Sequence, residues 1–158
     1  MLDGNTYRQQ LNQSFINFYN DRIEFDLIFN KKGKYKIELF GNNNGESNMH
    51  SILDYVVNVE KDAKEQLSFP TIYSIAKNIN LIEPLYDNLK SGEKVKFKIK
   101  SDLETIIIID GQWHYLKKNQ NKIFEEEITI QSTPGSNVVV GMKNESDKCE
   151  YMLSYKVI

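Results

Sequence analysis

Cysteine is scarce in this chain, with Cys149 the only one among 158 residues. A single thiol excludes an internal disulfide and any zinc cluster built on several cysteines. A marked excess of charge is missing as well, because 20 basic and 22 acidic residues leave a net charge of -2 and a pI near 5.8. Without a basic field, neither nucleic acid nor anionic lipid is a predicted partner.

Long apolar runs and catalytic motifs are also absent from the sequence. No segment reaches the roughly 18 uninterrupted apolar residues that a membrane span needs, and residues 1–10 have neither the basic nor the apolar region of a signal peptide. There is no phosphate-binding glycine loop, no HExxH, no GxSxG and no EF-hand loop. We therefore predict no catalytic residue, no metal site, no cofactor and no membrane span in this chain.

What the sequence does contain is alternation of apolar and polar residues at period two, which predicts an all-β fold. In EKVKFKIKS, Val95, Phe97 and Ile99 face one way and the lysines between them face the other. By the same rule, Glu24 and Asp26 are expected to point into solvent. Further predicted strands are SFINFY, RIEFDLIF, GKYKIELFG, HSILDYVVNV, FPTIYSIA, KIFEEEITIQ, SNVVVGMK and CEYMLSYKVI, and the one plausible helix is a short one within VEKDAKEQLS.

An internal repeat predicts the domain organisation. Leu53, Tyr55 and Val57 recur 100 residues later as Leu153, Tyr155 and Val157, and IEFDLIF and FEEEITI fall at nearly the same spacing. About 100 residues is the length of one immunoglobulin-like sandwich. We predict a partial immunoglobulin-like unit over residues 1–62, a linker over 63–68, and a complete antiparallel immunoglobulin-like β-sandwich over 69–158.

The first unit is too short to close a sandwich by itself. Half a sandwich would leave its inner face in water, at about 25 cal/mol for each Å² of exposed apolar surface. We expect either that the chain is the C-terminal fragment of a longer protein, or that the first unit completes its core on the second unit or on another copy.

The segment TIIIIDGQWHYLKK, residues 105–118, is the most conspicuous candidate site, and its Asp-Gly pair predicts a hairpin with a two-residue type I′ turn. In that register Ile108 lies opposite Trp113, and Ile106 lies opposite Tyr115. We expect these four side chains to form the core face. The opposite face, which carries Ile107, Ile109 and His114, would be covered or would meet a partner. With Trp113, these three residues form the predicted interaction surface.

Each residue of this hairpin also has an ordinary structural interpretation. His114 is expected to be a half-buried strand residue, because no second ligand lies at metal spacing on its strand. Trp113 is either core or a stacking surface for a sugar or a base, and the isoleucines are either a buried central strand or an interface. Strand parity places Cys149 on the apolar face of the last strand, where a thiol is inert.

The second unit resembles the immunoglobulin-like domain that follows the catalytic core in kyphoscoliosis-peptidase-type, transglutaminase-like proteins. The residues that carry the likeness are FPTIYSIAKNINLIEPLYDNLKSGEKVKFKIK, then IIIIDGQWHYLKK and YMLSYKVI, and the first unit resembles the tail of the same domain type. The resemblance implies an accessory module attached to a papain-like core. None of the catalytic motifs of that core is present here, and the family favours a secreted or surface location.

The predicted function is that of a non-catalytic accessory or interaction module for substrate positioning, protein docking or spacing. Its predicted partners are a protein or its own upstream catalytic domain, and self-association remains open. Binding of cell-wall carbohydrate through Trp113 and neighbouring tyrosines is the alternative.

Overall fold

A computed structural model describes residues 13–19, 21–42, 48–73, 79–143 and 148–158, and the fold is all-β. The chain divides into two compact units. One unit holds the described residues up to Ile28 together with Leu67–Ile158, and the other holds Phe29–Gln66.

The larger unit contains two antiparallel sheets. The first consists of β5 (Thr71–Ile72), β7 (Asn88–Leu89), β9 (Glu104–Ile109), β10 (Gln112–Tyr115), β13 (Asn137–Lys143) and β14 (Cys149–Val157). Its strand order is β10-β9-β13-β14-β5, and β7 pairs in parallel with β14. The second sheet has the order β11-β12-β8-β6, formed by β6 (Ile79–Glu83), β8 (Lys94–Ser101), β11 (Lys117–Lys118) and β12 (Ile123–Thr129).

These two sheets enclose one hydrophobic core, as in an immunoglobulin-like β-sandwich, and the predicted fold class is confirmed. Phe97 and Ile99 enter the core from the second sheet, and Val140 and Tyr155 enter it from the first. The rings of Phe97 and Tyr155 meet edge to face with centroids 5.9 Å apart. Burial raises the pKa of Tyr155 well above its ordinary value, and its hydroxyl donates a hydrogen bond of 2.8 Å to the carbonyl of Pro84.

A two-stranded ribbon, β1 (Ser14–Phe18) with β2 (Ile23–Leu27), belongs to the same unit. Phe15 joins the core beside Phe69, with ring centroids 5.7 Å apart. The buried Asn17 accepts a hydrogen bond from the N–H of Leu81 at 3.1 Å and donates one to its carbonyl at 3.5 Å. A side-chain amide thus takes the place that a neighbouring strand would occupy beside β6.

The acidic residues of β2 share a face of the ribbon with the buried residues of β1. Glu24 lies opposite the buried Asn17, and Asp26 lies opposite the buried Phe15, so both carboxylates belong to the face of the ribbon that carries the covered residues. Glu24 nevertheless stays in contact with solvent, as expected, because its side chain is 42% exposed and lies 2.8 Å from Arg22. The exposed residues of β2 are Ile23, Phe25 and Leu27.

The smaller unit is an antiparallel ribbon of β3 (Gly33–Gly41) and β4 (His50–Val59). Asp62, which follows β4, links the ribbon to the residues that precede β3. Its carboxylate accepts a hydrogen bond of 2.7 Å from the N–H of Lys32 and lies 3.3 Å from Lys31 Nζ. The predicted short helix was wrong, since residues 60–68 contain none. The predicted boundaries at residues 62 and 69 differ from the two compact units, which group β1 and β2 with the sandwich. These boundaries stay a prediction.

Candidate interaction surface

The β9–β10 hairpin has the predicted register. Ile108 lies opposite Trp113, and Ile106 lies opposite Tyr115. Asp110 and Gly111 form the two-residue loop with φ of 47° and 79°, as a type I′ turn requires. The Asp110 carboxylate also accepts a 2.9 Å hydrogen bond from Ser132 Oγ, which anchors the turn to the loop that precedes β13.

The four isoleucines form a buried central strand, one of the two predicted alternatives, but the side of the hairpin that meets the core is the one predicted to be covered or to meet a partner. Ile107 and Ile109 are part of the sandwich core and have 0% and 4% of their surface exposed. Trp113 and Tyr115, predicted to be core, are exposed by 43% and 51%. Ile107 and Ile109 therefore cannot serve as a partner surface in the folded chain.

The reason lies in the position of β9 within its sheet. The strand is flanked by β10 and β13, so all of its isoleucines are buried, and alternation gives no sign of which face meets the second sheet. The neighbouring strand decides it. Ile107 lies opposite Val140, which is in the core, whereas Ile106 lies opposite Gly141 on the outer face.

On that outer face, Trp113, Tyr115, Lys143 and Glu104 form what we call the aromatic cluster. The Nζ of Lys143 lies 5.9 Å from the Trp113 ring centroid and 5.5 Å from that of Tyr115, within cation-π range. It also lies 3.8 Å from a Glu104 carboxylate oxygen, and the two rings are tilted by 55° with centroids 6.4 Å apart. The ammonium group thus contacts both rings, and Trp113 and Tyr115 remain 43% and 51% exposed.

Gly141 lies beside this cluster and allows close packing there. A Cβ at this position would lie 2.5 Å from Cys149 Sγ and 3.2 Å from Cγ1 of Ile106. A β-bulge between Val140 and Gly141 shifts the register of β14 at the same point, so Gly141 lies opposite Tyr151. Tyr151 is exposed, and Cys149, two residues before it, lies opposite Lys143 on the same outer face, so the strand parity that placed Cys149 on the apolar face was wrong.

His114 and Cys149 are both partly buried. His114 is half-buried on the core side of edge strand β10, as predicted. Burial raises the pKa of the Cys149 thiol, and the nearby Glu150 carboxylate raises it further, which disfavours the thiolate. Within the described part of the chain, no group of three or more His, Cys, Asp or Glu side chains is placed to hold a metal ion.

Three lysines of β8, Lys94, Lys96 and Lys98, form cross-strand ion pairs with β12. Lys96 Nζ lies 2.9 Å from a carboxylate oxygen of Glu125, and Lys94 Nζ lies 3.4 Å from one of Glu127. The ion pair with Lys96 lowers the pKa of the Glu125 carboxyl group. These neutralised pairs make the outer face of the second sheet a poor site for an acidic polymer.

Sequence reasoning found Trp113 but missed Lys143 as its neighbour. The two residues are 30 positions apart and are brought together because β9 lies between β10 and β13. The lone lysine at the end of VVVGMK shows no pattern that would have identified it. Only the order of the strands in the sheet shows that Trp113 and Lys143 are neighbours.

The larger unit is thus an immunoglobulin-like sandwich that carries an exposed aromatic cluster on one of its sheets. Residues 3–70 match the KY-like, immunoglobulin-like domain. This match confirms the suspected family resemblance and lies on the first part of the chain, where the likeness had been weaker. The KY-like match thus ends at residue 70, directly before strand β5 of the sandwich.

No curated protein and no solved structure matched the sequence. Immunoglobulin-like domains are typically non-catalytic, and the KY-like match indicates an accessory module. The described residues include no helix long and apolar enough to cross a membrane.

Proposed function

We propose that this chain is a non-catalytic accessory module of a transglutaminase-like, cysteine-peptidase-type protein, and that it docks the catalytic core of that protein. The KY-like match supports the family context. The exposed aromatic cluster is the observation that carries the docking role. Aromatic and cationic side chains at a solvent-accessible position are the residue types enriched in protein interfaces.

The surroundings of the cluster suit this role. Trp113 and Tyr115 belong to β10, an edge strand of its sheet, and stand above the covered Ile106 and Ile108. Pairing with Lys143 restricts the motion of both rings before any partner arrives, which lowers the entropy lost on binding.

The test is a calorimetric titration of the transglutaminase-like core with this chain and with two variants. Trp113→Ala should weaken binding at least tenfold, the loss typical of an aromatic hot spot. Tyr86→Ala removes a similarly exposed aromatic side chain elsewhere on the same unit and should leave binding unchanged. Equal affinities for the Trp113 variant and the unaltered chain would contradict the proposal.

Carbohydrate binding is the second candidate function, and the exposure of Trp113 favours it, because a buried ring could not stack on a sugar. Since Trp113 is the only tryptophan, its fluorescence reports on this cluster alone. Titration with soluble cell-wall glycan fragments should shift its emission if sugars stack on it. An unchanged emission spectrum, with Trp113 shown to be accessible to a small quencher, would exclude a glycan at this cluster.

A further inference from the structure

The β3–β4 ribbon has one wholly apolar face, which we call the ribbon face. Its six residues pair across the two strands: Tyr35 with Val57, Ile37 with Tyr55, and Leu39 with Leu53. The opposite face carries the ion pairs of Lys36 with Glu38 at 2.8 Å and with Asp54 at 3.4 Å. The opposite face is mixed, because it also carries the exposed Phe40 and Val56, so the ribbon face is the one without a charged residue. A two-stranded ribbon is marginally stable by itself, which favours covering its more apolar face.

The internal repeat shows that the equivalent face of the sandwich is buried. Leu153 and Tyr155 are 3% and 0% exposed, whereas Leu53 and Tyr55, which precede them by 100 residues, are 43% and 53% exposed. The same residue types at the same repeat positions are therefore core in one unit and surface in the other.

The sandwich also shows what covers this face. Phe124 and Ile128 of β12 share the core with Tyr155. Their counterparts 101 residues earlier are Ile23 and Leu27 of β2, which are exposed by 52% and 38%.

With Phe25 between them, and with Ile16 and Phe18 opposite on β1, Ile23 and Leu27 form an apolar face on the β1–β2 ribbon. We call this the strand-2 face. Both halves of a second core are thus present in one chain, and both are exposed.

We propose that a second copy of this chain occupies the ribbon face, with the strand-2 face of each copy packing on the ribbon face of the other. The product is a two-fold dimer with two completed cores. The contact uses no residue of the aromatic cluster, so it stands independently of the proposed docking function. A second copy carries the complementary surface that the repeat identifies, and it is the occupant because two such contacts together reach the area of a specific dimer interface.

The apolar area is sufficient for a stable dimer. One contact includes four aromatic side chains, Phe18, Phe25, Tyr35 and Tyr55, and since a fully buried aromatic covers about 150–250 Å², these partly exposed ones supply on the order of 300 Å². The aliphatic residues of the two faces add a similar amount. Because the contact forms twice, the total is on the order of 1,200 Å², the lower end of the range for specific interfaces.

Light scattering on the full chain tests the proposal, using charged variants of each face. The unaltered chain should have twice the mass of one chain, and Tyr55→Lys and Phe25→Glu should each give monomers. Val56→Lys is the matched control, because Val56 is exposed on the opposite face of the same strand, and this variant should remain dimeric.

Mixing the two monomeric variants provides the decisive result. The new lysine of one chain would meet the new glutamate of the other, and the second contact would keep its original residues, so a dimer of the two variants should form. Circular dichroism and a cooperative urea unfolding transition establish that each variant keeps its fold. A monomeric unaltered chain, equal effects of Tyr55→Lys and Val56→Lys, or failure of the folded variants to combine would each overturn the proposal.

Discussion

Replacing Ile107 with alanine is expected to lower the free energy of unfolding of the sandwich by about 2–5 kcal/mol. Ile107 has no exposed surface and lies between His114 and Val140 in its sheet, facing the core. The substitution removes three carbon atoms, worth roughly 2.4 kcal/mol at about 0.8 kcal/mol per methylene. A remaining cavity adds about 24 cal/mol per Å³.

The comparison variant is Tyr115→Ala, on the other face of the same hairpin. Tyr115 is half exposed and its contact with Lys143 is a surface cation-π pair, worth about 0.5–1 kcal/mol. Urea unfolding followed by circular dichroism measures both variants. If Tyr115→Ala were the more damaging substitution, the assignment of the two faces would be wrong.

Three further predictions concern packing, a buried amide and a carboxyl group. Gly141→Ala should cost about 1–3 kcal/mol through overpacking, and adding Cys149→Ala should recover part of it in urea unfolding, because Cys149 Sγ is the nearest atom to the new methyl group. Asn17→Ala should cost about 1–3 kcal/mol, because it leaves the backbone of Leu81 without these hydrogen bonds; an unchanged unfolding midpoint would contradict this. Burial raises the pKa of Asp87 in the folded chain, so the ionised carboxylate opposes folding. Asp87→Asn should therefore raise the melting temperature at neutral pH. It should have no such effect in acid below the unfolded pKa of about 3.9, where the carboxyl group is protonated in both states.

The strands of the chain were largely predictable from the sequence, because period-two alternation is a local signal. GKYKIELFG and HSILDYVVNV correspond to β3 and β4, and the Asp110-Gly111 turn fixed the hairpin register. The short strands β6, β7 and β11 were missed. They have two to five residues, too few for alternation to be distinguished from chance.

The faces of the strands were less predictable, because they depend on strand order and on bulges. Four consecutive isoleucines show no alternation, so the core side of β9 was set by its neighbour β13. One inserted residue at the β14 bulge reversed the parity that had placed Cys149 on the apolar face. The cluster around Lys143 follows from the same strand order, and no local pattern contains it.

The accessibility of Trp113 tests the central claim most directly, since the proposed interaction surface exists only if this ring faces solvent. As the only tryptophan, it can be measured in the unaltered chain by fluorescence quenching with acrylamide. The structure predicts red-shifted emission and efficient quenching in the native state. Blue-shifted emission that resists quenching until the chain unfolds would place Trp113 in the core and contradict the account.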